Sequence, residues 1–210
     1  MREAVIVAGA RTPIGKYNGC FASLENYELG AVVIKELIKR TGIDPAQIDD
    51  VYFGLAEGTP GDVARISVLE AELPNTVPGI TFDRQCASGL EAICFAAAMI
   101  QSGHGDIYIA GGAESETNNP WFLQKSGRPY SYEPPKFTYV RMAPPKAGDP
   151  SMGETAENVL DRYPDITRED LDQFALRSHQ RALKAMADGA FAEQIVPVAV
   201  RTKGKTVEFS

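Results

Sequence analysis

The chain has 210 residues, of which 44% are hydrophobic and 23% charged, and its formal net charge is −7. That length buries a real core in one large or two small domains, and 19 glycines with 14 prolines are too few for a low-complexity chain. The acidic balance leaves no basic face to neutralise phosphates, which argues against a nucleic-acid partner, and the longest apolar runs, residues 4–10 and 96–100, fall far short of the roughly 20 residues of a membrane span.

Strands and helices alternate through the first third. Residues Val5–Ala8 read as a short strand. Asn26 is placed to cap a helix with Leu29, Val32, Val33 and Leu37 along its apolar side, stopping near Gly42. Asp44-Pro45 opens a short helical turn, with proline in the first helical position. Val51–Leu55 reads as a second strand, and Asp62 caps a helix through Leu73. A third strand, Gly79–Asp83, leads into a helix from about Cys86 to Gln101 that ends at Gly103. A fourth, Asp106–Ala110, closes on Gly111-Gly112. This alternation predicts an α/β fold with a mainly parallel sheet covered by helices.

Charge then divides the chain. Residues 1–116 carry 8 basic and 16 acidic side chains, whereas residues 117–150 carry 5 and 2. The latter stretch holds 7 of the 14 prolines and the aromatics Trp121, Phe122, Tyr130, Tyr132, Phe137 and Tyr139. It reads as an irregular, proline-pinned arm too aromatic for a flexible linker, one that needs cover from a ligand, another domain or another subunit, or that packs on its own chain. Further on, Thr167 and Asp170 give a capping-box start to a helix running to about Ala187. Ile195–Val200 and Thr206–Phe209 read as strands around a Lys203-Gly204-Lys205 turn. The domain division expected is 1–116 and 117–210.

The chemistry concentrates at Cys86. A strand ends, the chain turns, and a small-residue helix is predicted to begin at the cysteine, where backbone N–H groups lack helical partners. Those donors and the helix dipole favour a thiolate, so the thiol is expected to titrate below roughly 8.5. The same N–H groups suit the oxyanion of an acyl intermediate, and Ala87, Ser88 and Gly89 leave room for a substrate. Arg84 adds positive charge if it turns toward the thiol. A buried structural cysteine is the alternative at this point. Cys94, about 12 Å further along the helix, reads as core, and Cys20 as incidental. The three cysteines match no metal spacing and, being odd in number, no disulfide framework. With a start too short for a signal-peptide core, they point to a reducing cytoplasm. A base is harder to find. His104 lies past the far end of the Cys86 helix, and His179 sits mid-helix among charged residues.

Five separated segments, in order, resemble the thiolases, the acyl-CoA acetyltransferases. They are Val5–Gly15, Cys86–Ile93, Ala110–Ser115, Ser151–Asn158 and Phe191–Val198. The resemblance implies the first half of a layered α/β/α/β/α fold with an inserted loop (covering) domain, here residues 117–210 and truncated. It implies a ping-pong reaction: a cysteine takes an acyl group from acyl-CoA, and the acyl group then condenses with acetyl-CoA, thiolysis being the reverse. Cys86 matches the nucleophile. Met152 matches a loop-domain residue near the thioester, and Ser88 and Gly89 are expected to contact substrate. Acyl-CoA and acetyl-CoA are the implied partners, in a homodimer or homotetramer. No cofactor or metal is expected beyond the coenzyme A thioester that serves as substrate.

Three departures stand out. Thiolases usually carry Asn three residues before the nucleophile, where this chain has Asp83, whose charge opposes a thiolate unless a cation offsets it. The family's Gly-Gln-Asn-x-Ala-Arg-Gln appears as Gly61-Asp62-Val63-Ala64-Arg65-Ile66. The family's segments that supply the oxyanion-site Asn, the His base and the second Cys have no match in these residues. The chain alone is therefore expected to turn over little. Two other readings are a non-catalytic half-chain or assembly module that pairs with a C-terminal half, and another condensing enzyme of the superfamily. Arg11-Thr12-Pro13 and Ala110–Ser115 favour thiolase over the last.

Overall fold

Val51, Tyr52 and Phe53 are all buried, and that fixes their strand in the middle of a sheet with both faces covered. In the computed structural model, which describes residues 2–58, 61–202 and 204–210, this strand is β1 (Asp50–Gly54). It pairs in parallel with β2 (Ile80–Phe82) and with β3 (Tyr108–Gly112), so that Tyr52 lies opposite Ile80 on one side and Ala110 on the other. The sheet order is β2-β1-β3. Alternation sends Val51 and Phe53 to one face, where helices α1 (Asn26–Thr41) and α2 (Val63–Glu70) bring Ile34, Val63, Ala64 and Val68 onto them. Tyr52 points to the other face, against Ala92 and Ala96 of α3 (Ser88–Ser102).

Local chemistry sets the helix ends. Asn26, expected as a cap, is the first residue of α1; Glu25 precedes the helix, and its N–H donates to the Glu28 carboxylate at 2.7 Å. Asn26 is instead buried, its side-chain oxygen accepting the Tyr27 N–H. Gly42 ends α1 in the left-handed conformation at φ 66°, and its N–H returns to Ile38 O. Asp62 caps α2 as expected by accepting the Arg65 N–H, and the helix stops at Glu70, short of Leu73.

Val5–Ala8 forms no strand. Val5, Ile6 and Val7 are 71%, 83% and 73% exposed. The segment is tied at its ends: Arg2 pairs with Asp106, and Arg40 donates to Gly9 O at 2.9 Å. Arg11 exchanges bonds with Gln194 O and the Val196 N–H. Apolar β-branched residues make a strand only with a neighbour's N–H and C=O groups to pair with, and none among the described residues lines this segment.

The chain forms two units. The first comprises Met1–Pro120 and Gln194–Ser210, the second Trp121–Glu193. The antiparallel hairpin β6 (Val198–Thr202) and β7 (Lys205–Phe209), grouped by the sequence reading with 117–210, lies in the first. Its Val198 and Val200 are buried with Phe21, against Leu29 and Val32 of α1. Lys203 of the expected turn lies outside the described residues. In the second unit, the aromatic arm holds a short antiparallel pair, β4 (Phe122–Gln124) and β5 (Lys136–Thr138). Trp121 meets Phe137 edge-on beside it, with centroids 5.7 Å apart. Helices α4 (Met152–Arg162) and α5 (Arg168–Ala187) follow, each opened by a capping box, Ser151 with Glu154 and Thr167 with Asp170.

Candidate active site

The parallel sheet runs its β1 and β2 strands out toward the start of α3, and the five residues between β2 and α3 carry Cys86. They fold as a tight turn. Asp83 Oδ1 accepts the Gln85 N–H at 2.6 Å, an Asx-type bond. Gln85 is left-handed at φ 51°, a conformation that non-glycine residues rarely hold. The Ala87 N–H donates to Arg84 O at 3.2 Å and the Ser88 N–H to Gln85 O at 3.0 Å. The Ser88 hydroxyl accepts the Arg84 N–H at 2.7 Å and donates to Gln85 O at 2.6 Å. The Cys86 N–H takes part in none of these bonds.

The helix begins at Ser88 rather than at Cys86, because Gln85 turns left-handed and delays the helical dihedrals. Cys86 therefore sits two residues ahead of α3, exposed, in the turn. Ala87 at the N-cap position supplies no side-chain bond, so after the Ser88 N–H, which Gln85 O takes, the N–H groups of Gly89 and Leu90 keep their donors free of a cap. The space a side chain would take at Gly89 is open. This is an anion-favouring end of a 15-residue helix with a thiol beside it.

Close packing sets where that end lies. A Cβ placed on Gly54, the last residue of β1, would overlap Ser88 and come within 2.6 Å of the Gly89 nitrogen. Only glycine lets β1 meet the helix start this closely. The sequence flagged neither Gly54 nor the Ser88 clamp; the one available signal was a glycine inside a predicted strand.

The charges around Cys86 are committed elsewhere. The Arg84 guanidinium pairs with Glu91 at 2.9 Å. Asp83 is held in the turn through its bond to Gln85. His104 follows the C-terminal end of α3, about 22 Å along the helix axis from its start, with Nδ1 2.9 Å from Ser102 Oγ. His179 lies on α5 in the second unit, as does Met152 at the start of α4, which is 63% exposed. The structure thus brings Cys86, Ser88 and Gly89 together in the first unit. Cys94, expected in the core, is exposed on α3, because the sheet-facing positions of that helix are Ala92 and Ala96. Cys20 is half-buried beside the hairpin. Among the described residues no cluster of His, Cys, Asp or Glu is arranged to hold a metal, and no helix is long and apolar enough to cross a membrane.

Comparison with known proteins agrees with this architecture. A family model described as the thiolase N-terminal domain matches residues 4–210. A thiolase of Escherichia coli (strain K12), named for 3-oxoadipyl-CoA and 3-oxo-5,6-dehydrosuberyl-CoA, is 44% identical over 214 residues, covering 97% of this chain and 53% of the relative. VraB of Staphylococcus aureus (strain MW2), provisionally named an acetyl-CoA C-acetyltransferase, is 40% identical over 201 residues, covering 96% and 53%. The crystal structure of the Bacillus anthracis acetyl-CoA acetyltransferase superposes with a TM-score of 0.90 at 36% identity, covering 100% of this chain and 54% of that one. The chain spans about half the length of the curated relatives it matches.

Proposed function

The chain belongs to the thiolase family, and from that premise we propose that Cys86 is the acyl acceptor of an acyl-CoA acetyltransferase. The observation that carries this reading is an exposed thiol in a hydrogen-bonded turn at the uncapped start of α3. In the proposed first step the Cys86 thiolate attacks the thioester carbonyl carbon of acyl-CoA. The free N–H groups at the helix start suit the oxyanion. The carbonyl re-forms, the bond to the coenzyme A sulfur breaks, and coenzyme A leaves as thiolate to take up a proton. In the second step the α-carbanion of acetyl-CoA attacks the acyl carbon, forming a carbon–carbon bond and returning sulfur to Cys86. Thiolysis runs these steps backward.

Gly89, with open space above it, and Met152 are the proposed substrate contacts. The proton transfers of the second step need an acid–base pair, and within the first unit His104 follows the far end of α3 from Cys86. The chain alone is therefore proposed to accept an acyl group slowly and not to turn over, with acyl-CoA and acetyl-CoA as its small-molecule partners and a homodimer or homotetramer as the complete enzyme's assembly.

The test is peptide mapping after incubation with acetyl-CoA at neutral pH. The peptide bearing Cys86 should gain one acetyl group, and Cys86→Ser should abolish the gain while Cys94→Ser leaves it. Acetylation spread equally over Cys86 and Cys94, or found on neither, would remove Cys86 from the role.

A further inference from the structure

Ser88 has one hydroxyl proton, and that proton is already used. The residue is 4% exposed, its O–H donates to Gln85 O, and its oxygen accepts the Arg84 N–H. It has no donor left for a substrate oxygen. One bond ends on the Gln85 carbonyl and the other on the Arg84 N–H just before it, so the two flank Gln85, whose left-handed backbone needs local support to persist. The Ser88 main-chain N–H adds a second bond to the same carbonyl. Gly54 backs this arrangement, since any side chain there would collide with Ser88.

We infer that Ser88 is a positioning residue: its hydroxyl clamps the Gln85 turn and so fixes where the Cys86 sulfur stands relative to the free N–H groups of α3. This rests on the reading of Cys86 as nucleophile. It gives Ser88 a role in the site other than substrate contact.

The experiment is iodoacetamide alkylation of the 210-residue chain from about pH 6 to pH 10, read cysteine by cysteine by mass spectrometry, with Cys94 and Cys20 as references in the same sample. In the unaltered chain Cys86 should react faster than Cys94. Ser88→Ala removes two hydrogen bonds and should slow Cys86 about tenfold at neutral pH, leaving Cys94 within about twofold. Ser88→Thr keeps the hydroxyl and should retain most of the Cys86 rate.

An unchanged Cys86 rate in Ser88→Ala overturns the clamp, as does a Ser88→Thr variant as slow as the alanine. If the alanine variant unfolds, with Cys20 and Cys94 accelerating together, the threonine variant decides: a retained rate supports the clamp and a lost one overturns it. The underlying reading fails separately, if Cys86 of the unaltered chain is no faster than Cys94.

Discussion

In the first unit Ile34, Val51, Phe53 and Val68 are sealed from solvent; in the second Phe174, Leu183 and Met186 each stand 66–70% exposed on α5. The helices of the two units start differently as well. Both α4 and α5 carry reciprocal capping boxes and bury no residue, whereas α3 has no side-chain cap and is held by Ala92 and Ala96 against the sheet. Helices of the second unit are specified by their own first turns, and α3 by what it packs on. That difference matters for the chemistry. A cap on α3 would occupy the N–H groups that the proposed oxyanion needs, and tertiary packing frees the helix from needing one.

The largest test of this contrast is a pair of truncations. Phe53→Ala, at a residue 2% exposed between α1, α2 and the sheet, should cost about 3–5 kcal/mol. Phe174→Ala should stay within about 0.5 kcal/mol, as for an exposed surface site. Urea unfolding followed by far-UV circular dichroism measures both. Comparable losses would show that Phe174 is as well covered in solution as Phe53, and would erase the contrast.

The same division explains which features were legible in the sequence. Thr167, Asp170 and Ala187 mark α5 almost to the residue, because a capping box and a helix-length pattern are local signals. The parallel strands are legible to within two residues, since Val51-Tyr52-Phe53 is an unbroken apolar run. What failed was non-local. Val5–Ala8 has the composition of a strand but no strand partner among the described residues. Cys94 has apolar neighbours but faces outward, because the sheet contact is made by alanines. At the site, Cys86 was visible as a cysteine at a strand–helix junction. The delayed helix start was not, since it depends on Gln85 adopting a positive φ that no glycine announces. Arg84 pairing with Glu91 needs the turn's geometry to be seen.

A smaller effect follows from the contact that sets α3 against β1. Gly54→Ala should cost about 1–3 kcal/mol, the range for overpacking, because the new methyl overlaps Ser88 and the Gly89 nitrogen. Gly127→Ala, in the second unit, has open space and should be neutral within about 0.5 kcal/mol. Thermal unfolding of the two variants separates them. An unaffected Gly54→Ala would mean that α3 yields easily and that its start is not fixed by the sheet.

The smallest effect is a difference in acid response. Asp49 Oδ2 accepts the N–H groups of Asp106 and Ile107 at 2.6 and 2.9 Å, tying the entry of β1 to the entry of β3 across 57 residues of chain. These bonds hold its carboxyl below the ordinary range, first through Asp106 and then through Ile107. Glu154 and Asp170 are lowered too, but by bonds to Ser151 and Thr167 three residues away. In each case the folded pKa lies below the unfolded one. The stabilisation is therefore fully present above the unfolded value, near 4, and is lost as pH falls through the folded value. Asp49→Asn should weaken protection of the Ile107 amide in hydrogen exchange at neutral pH. It should also flatten the acid dependence of that amide, while leaving exchange at the starts of α4 and α5 unchanged. If the Ile107 amide exchanges alike in both proteins across the acid range, Asp49 is not what joins the two strands. The parallel sheet would then be held at that end by its backbone ladder, including the Asp49 N–H bond to Ile107 O at 2.9 Å, and by side-chain packing.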